Sequence, residues 1–285
     1  MAVLTMKNSL LTVEIKTEGA QIKSVKDNSG TEYIWHADPK FWGKSAPVLF
    51  PICSNLKDGK YIYEGKEYRM PDHGFSQKMD YSVREAEDDK VRLYITDTDE
   101  TRKMYPFNFD FEVAFTLEGN SLKAEYIVTN KGTGDMYYSV GCHEAYACPE
   151  GVEEYAVEFP EEINPDTYLL DGKFLSGETL RIADRGKVLD IKEEYFDRDS
   201  VVLKNMGVYS ASLVNKKSGQ KVRIEFPDFD YFVIWHEPGS GFLCLEPWKG
   251  FPDYTYHDYD FTKKDGIIKV KEGEKSISEH TMYFG

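Results

Sequence analysis

Cysteine is sparse in this chain. The four present, Cys53, Cys142, Cys148 and Cys244, are too few and too scattered for a disulfide framework. Their spacing matches neither a zinc ribbon nor a CxxC redox pair, so buried, reduced thiols are the expectation. Long apolar runs are also missing. The longest uncharged stretch, Ser45 to Leu56, falls short of the ~18 apolar residues a membrane span needs. The opening MAVLTMKNSLLTVEIK reaches Glu14 and alternating polarity too soon for the apolar centre of a secretory signal. Positive charge is in deficit, with 35 Lys plus Arg against 50 Asp plus Glu and a net charge of −15. Nucleic acid is a poor partner for such a chain, because Lys and Arg contacts to phosphate supply most non-specific affinity. No Gly/Ser-rich or Pro-rich linker, internal repeat or low-complexity tract divides the sequence. These absences predict one soluble, cytoplasmic domain over residues 1–285 that binds neither nucleic acid nor membrane.

Aromatic residues, by contrast, are plentiful at 14%, far more buriable surface than a disordered chain carries. The dominant hydrophobic period is two. Leu11 to Lys16, Tyr61 to Glu64, Val91 to Ile95 and Leu122 to Val128 alternate between apolar and polar residues. Turn chemistry separates such runs: Asp27-Asn28-Ser29-Gly30 precedes Tyr33-Ile34-Trp35, Glu64-Gly65-Lys66 joins two aromatic strands, and Glu118-Gly119-Asn120-Ser121 follows Phe111 to Leu117. The acidic run Glu85 to Asp89 reads as a hairpin tip. Helical composition is confined to short segments such as Ile191 to Phe196, and no strand-helix-strand alternation points to a parallel sheet. The pattern predicts an all-β, antiparallel sandwich.

Three segments break the alternation with titratable side chains beside Pro, Gly or aromatic residues: Pro71 to Phe75, Val140 to Tyr146, and Phe242 to Trp248. From Phe242 to Leu245 both faces are apolar, which predicts a strand covered on both sides, with Glu246 placed just before a proline expected to end its ladder. A carboxylate there suffers desolvation, and its pKa drifts upward toward the range of a general base, unless a Lys or Arg pairs with it as a structural ion pair. Alternation puts His143 on the opposite strand face from Cys142 and Glu144, while Gly141 leaves room for a ligand or another backbone. His143-Glu144 is not a zincin site, since Ala147 stands where a second histidine is required and the segment is not helical; no metal is expected. His73 sits in a turn before Gly74. His236, His257, Asp253 and Arg69 each have a sufficient explanation in surface or packing duty.

The ordered series Phe41-Trp42, Ala46 to Pro51, His73-Gly74-Phe75, Gly141-Cys142-His143 and Cys244 to Gly250, followed by Asp253, resembles the aldose 1-epimerase (galactose mutarotase) family. The resemblance implies a large antiparallel β-supersandwich and cofactor-free interconversion of the α and β anomers of a free aldohexose, the small-molecule partner, by a monomer or homodimer. It further implies that Glu246 is the general base, His143 the general acid, and His73 a substrate-binding histidine. Two positions depart from the family pattern: Asn55 stands where a substrate-binding arginine is common, and Glu144 where proline often follows the histidine. Asp199 is matched to a sugar-binding acidic residue. Phe75, Tyr146, Trp235 and Trp248 are candidates for apolar contact with sugar C–H faces. The chemistry suits these residue types, because ring opening of a hemiacetal needs one group to accept the C1 hydroxyl proton and another to donate to the ring oxygen. Reference pKa values of about 4.3 and 6.5 fit a carboxylate and an imidazole to those tasks, with Glu246 expected to raise His143. Competing readings are a sugar-binding module without efficient turnover, a glycoside hydrolase pairing Glu246 with Asp253 or Glu144, and a hexose 6-phosphate epimerase. The last requires two cations at the pocket rim, for which Lys57, Lys249 and Arg69 are candidates.

Overall fold

Alternating polarity needs two apolar faces to meet, and here they do so between two antiparallel sheets. The computed structural model describes residues 1–285. The larger sheet has nine strands in the order Gly186–Asp190, Tyr155–Ile163, Ser210–Asn215, Lys221–Glu225, Lys275–Phe284, Ser121–Asn130, Phe109–Glu118, Lys90–Thr96 and Ser82–Ala86. Strand Ser121–Asn130 shows the logic: Leu122, Ala124, Tyr126 and Val128 point inward and are buried, and Lys123, Glu125 and Ile127 between them are part-exposed. Its hairpin with Phe109–Glu118 turns at Gly119-Asn120 and pairs Leu122 with Leu117.

The smaller sheet carries strands Val201–Lys204, Tyr231–Trp235, Phe242–Lys249, Val140–Cys142 and Val48–Leu49 in that order, with Ala145–Ala147 also paired to Phe242–Lys249. Phe242–Lys249 is buried along all but its last residue. Leu243 and Leu245 join the main core of 64 buried residues. Phe242 and Cys244 pack in a second layer on the other face, and Trp248 in a third cluster. Strand covering on both faces is therefore as the apolar run predicts.

Pro247 does not end the ladder. It pairs with Phe232, and the strand continues through Trp248 opposite Tyr231 to Lys249 opposite Val140. On the other side the neighbouring chain is interrupted at His143-Glu144, between Val140–Cys142 and Ala145–Ala147. The missing N–H of Pro247 falls beside this interruption, where a central-strand proline is tolerated.

Helix is scarce, as expected, but the α-helix lies at Asp99–Met104, outside the anticipated segment, where Glu193–Phe196 forms only a 3₁₀ turn. Thr98 caps the α-helix through a reciprocal box with Thr101, and Asp99 and Glu100 lie in its first turn. Tyr33 to Trp35 forms no strand, only an isolated bridge between Ile34 and Tyr146. All four thiols are free and buried. No helix is long and apolar enough to cross a membrane.

Candidate active site

The interruption at His143-Glu144 turns consecutive side chains to opposite faces. Glu144 goes into the sandwich core, where its carboxyl lies 3.2 Å from His280 Nε2 on the nine-stranded sheet. His143 goes outward into a cleft of about 310 Å³ whose lining includes Glu246, His73, Asn55, Asp199, Trp235 and Trp248. The structure thus brings Glu246, His143, His73, Asn55, Asp199 and Trp235 together at one site. Trp42, Asp72, Lys173 and Glu237 line it as well. Glu246 is held on the rigid central strand, with its side chain 1% exposed, and its Oε2 stands 3.3 Å from His143 Nδ1.

Aromatic rings fix the imidazole. Trp42 stacks on His143 at 4.6 Å between centroids, and Trp235 meets it edge-on at 5.5 Å. Trp248 Nε1 donates to the Cys142 carbonyl at 3.0 Å, locking its indole against the floor. Gly141 makes this packing possible, since a Cβ there would lie 2.6 Å from Trp248 Cδ1. What approaches at Gly141 is that indole, neither a ligand nor a backbone. Phe75 and Tyr146 are also reassigned: both are buried in the core, Phe75 against Phe50 and Phe109, and neither lines the cleft.

His73 owes its placement to its turn. It adopts φ 60°, and Gly74 follows at φ 72°, where a Cβ would meet the Phe50 carbonyl oxygen at 2.2 Å. Two hydrogen bonds clamp it to Ser54: His73 N–H donates to the Ser54 carbonyl (2.7 Å), and Ser54 N–H donates to His73 Nδ1 (3.1 Å). With Nδ1 accepting, the neutral ring carries its hydrogen on Nε2.

The Asn55 amide takes the orientation its surroundings select, accepting from Ser54 Oγ (3.1 Å) and donating to both Asp72 oxygens (2.6 and 2.9 Å). Asp72 in turn pairs with Lys173 at 2.7 Å across the cleft mouth. A cation does stand at the rim: Lys173, at the tip of the hairpin Asp166–Asp171/Phe174–Arg181. Lys57, Lys249 and Arg69 stand elsewhere: Lys57 Nζ bonds the His257 carbonyl, Lys249 the Ser278 hydroxyl, and Arg69 pairs with Glu67.

Burial dominates the electrostatics. It lifts the Glu246 carboxyl well above the usual carboxylate range, and the nearby Glu144 carboxyl pushes the same way. His143 is held well below the usual imidazole range, first by burial and then by the neighbouring His73 and Lys44. This reverses the expectation that Glu246 raises His143. Desolvation of the imidazolium outweighs any attraction from the Glu246 carboxyl. His73 is pushed down to about 4 by burial and by Lys44.

The remaining candidates have structural duties. Asp253 is buried in a 2.7 Å pair with Lys264 and accepts the Lys57 N–H (2.9 Å). His236 is tied to the Phe242 carbonyl (2.9 Å) and Glu193 (3.0 Å). Neither Asp253 nor Glu144 lines the cleft to serve as a second glycosidase carboxylate. Two trios, Cys142/Glu144/His280 and His143/Cys244/Glu246, each bring three potential metal-binding atoms within 4.8 Å. In both, burial raises the thiol pKa well above its usual value, which disfavours the thiolate a metal needs.

Lys173 and Glu237 escaped the sequence reading because each lies in a polar turn or loop whose composition matches any solvated surface, and Asp72, within the Pro71 to Phe75 segment, carried no assigned role there. Only the fold of the hairpin over the cleft distinguishes Lys173.

The whole-chain comparisons agree with this geometry. Protein LacX, plasmid, of Lactococcus lactis subsp. lactis is 36% identical over 285 residues, covering 94% of each chain. The solved galactose mutarotase related enzyme of Lactobacillus acidophilus superimposes with TM-score 0.93 at 28% identity, over 100% of this chain and 97% of that one. A galactose mutarotase-like protein of Lactobacillus casei gives TM-score 0.93 at 25% identity over 100% of both chains. The family model for aldose 1-epimerase matches residues 2–280, and the chain belongs to the aldose 1-epimerase family.

Proposed function

We propose that this protein interconverts the α and β anomers of a free aldopyranose, with Glu246 and His143 as its acid/base pair. The supporting observation is the 3.3 Å approach of His143 Nδ1 to Glu246 Oε2 at the floor of an aromatic-walled cleft of about 310 Å³. Burial disfavours the charged form of each group and so favours a carboxylic acid beside a neutral imidazole. Carboxylic acid with imidazole and carboxylate with imidazolium contain the same number of protons, and a bound sugar selects between them. In the reactive form the carboxylate takes the C1 hydroxyl proton while the imidazolium gives its proton to the ring oxygen, and the C1–O5 bond opens. Rotation about C1–C2 and the reverse transfers close the opposite anomer. Proton loss and return balance within one turnover, and no group is consumed.

His73 Nε2–H, Asn55 and Asp199 hold the sugar hydroxyls in this reading, and Trp235 faces its apolar side. Charge favours a neutral sugar over a phosphorylated one, because Asp72, Asp199 and Glu237 line the cleft against the single cation Lys173. The test is anomer exchange followed by NMR or polarimetry, starting from pure α-glucose and α-galactose. Acceleration above the buffer rate that disappears in Glu246→Gln supports the reading; exchange no faster than buffer with either sugar rejects it.

A further inference from the structure

Carboxylates outnumber cations along the catalytic cleft. Away from the acid/base pair, Asp72, Asp199 and Glu237 line it, and Lys173 is the one Lys or Arg among the lining residues. Its ammonium is already engaged by Asp72 at 2.7 Å, which leaves Asp199 and Glu237 without a counter-ion in the cleft. These two act on each other. Asp199 is raised above the usual carboxylate range first by desolvation, and the Glu237 charge pushes it the same way, against the pull of Ser200 and of Lys173. Lys44, the other cation near the site, donates to the Gln77 amide oxygen and acts instead on His73 and His143.

The backbone keeps these charges at the cleft. Glu237 follows strand Tyr231–Trp235, and the alternation that buries His236 brings Trp235 and Glu237 to the cleft side. The Ser240 N–H donates to the Glu237 carbonyl at 3.0 Å and closes the turn behind it. Asp199 is held at φ 88°, a left-handed conformation that costs a non-glycine residue free energy. Trp42 and Trp235, which meet edge-on at 5.6 Å, wall the same cleft. Unpaired carboxylates beside indole rings are the chemistry that recognises an ammonium group, by charge-assisted hydrogen bonds and by cation–π attraction. A hydroxyl can donate to one carboxylate, but only a cation offsets the repulsion between two. Glu246 Oε2 and His143 Nδ1, buried and without hydrogen-bond partners, line the same cleft of about 310 Å³. A pyranose seated on them therefore shares this small space with both carboxylates.

Resting on the epimerase reading of the cleft, we propose that the substrate class is an amino sugar, an aldopyranose whose ammonium group is bound by Glu237 together with Asp199. The chemistry at C1 is unaffected. Ring opening moves only the C1 hydroxyl proton and the proton given to the ring oxygen, so an ammonium elsewhere on the ring neither gains nor loses a proton in the step.

The experiment measures anomer exchange by NMR for glucose, galactose, glucosamine, galactosamine and N-acetylglucosamine, with the buffer rate subtracted and at a pH where the amines are protonated. Calorimetry measures binding of the same sugars, and both use the wild type and Glu237→Gln, which keeps the shape of the side chain and removes its charge. The expected result is kcat/KM for at least one amino sugar about tenfold above that of its hydroxyl parent. The gain should appear in KM, because the ammonium is bound alike in the ground and transition states. N-acetylglucosamine, with an uncharged nitrogen on the same carbon as glucosamine, should show no such gain. Glu237→Gln should lower the ratio of amino sugar to parent by about tenfold. Amino sugars at or below their parents, N-acetylglucosamine equal to glucosamine, or a ratio unmoved in Glu237→Gln would each overturn the assignment, while exchange of glucose above the buffer rate would keep the epimerase reading. Should no sugar be turned over, glucosamine binding that exceeds glucose binding only when Glu237 is present upholds the ammonium site and removes the epimerase reading; equal binding removes both.

Discussion

His143 Nδ1 and Glu246 Oε2 lie 3.3 Å apart, yet neither atom has a hydrogen-bond partner. Both groups line the same cleft. Glu246→Gln keeps the shape and removes the base; His143→Ala removes the partner. Each is expected to lower kcat by about 10²–10⁴. The double variant should be little worse than either single one, because a proton relay missing one member is already broken. Polarimetry on the three variants checks this, and multiplicative losses would separate the two residues into independent roles.

The Ser54–His73 clamp gives a pH prediction. His73 titrates near 6.5 when unfolded and is pushed down to about 4 when folded. Between those values the unfolded chain binds a proton that the native state does not, so stability falls as pH drops from 6.5 toward 4 and is fully present above 6.5. Asn at position 73 tolerates φ 60° and offers an oxygen where Nδ1 accepts the Ser54 N–H. His73→Asn should therefore fold, flatten the acid side of the stability curve, and raise KM by removing the Nε2–H donor. Urea denaturation between pH 4 and 7 measures the slope. His143, also held low, keeps part of it in the variant.

The strands were legible because burial on one face imposes a period of two, as Ser121–Asn130 shows residue by residue. Glu246 stood out for a related reason: a carboxyl interrupting an otherwise apolar strand is costly unless it serves a purpose. Crowding between residues distant in sequence has no such signature. Nothing near Gly141 announces the Trp248 ring, and nothing in the polar turn around Lys173 announces that the hairpin tip reaches Asp72. The sign of the His143 shift was equally hidden, since it depends on whether burial or the partner carboxyl dominates, and burial is a property of the folded cleft.

Gly141→Ala tests the packing beneath the cleft. The added Cβ would sit 2.6 Å from Trp248 Cδ1 and 3.0 Å from Cys53 Sγ, so the indole must move and strain its bond to the Cys142 carbonyl. Overpacking of this kind costs about 1–3 kcal/mol. A lower denaturation midpoint with a changed tryptophan emission spectrum is expected, together with a raised KM because Trp248 lines the cleft. An unaltered spectrum would mean that the ring is not displaced.

Glu144, directly behind the acid/base pair, offers a handle on its proton affinity without touching substrate. Its side chain is 3% exposed and lies 3.2 Å from His280, itself fully buried, so the pair links the two sheets through the core. The Glu144 carboxyl adds to the upward push on Glu246. Glu144→Gln removes that negative charge and should weaken proton binding at Glu246. The acid limb of kcat/KM, set by protonation of the pair, then moves to lower pH. Because it disrupts a buried pair, the substitution should also destabilise the fold, by up to about 3–5 kcal/mol. The limb position separates the two effects: a purely structural contact lowers the denaturation midpoint and the activity at every pH but leaves the limb in place. Only loss of the charge behind Glu246 shifts it.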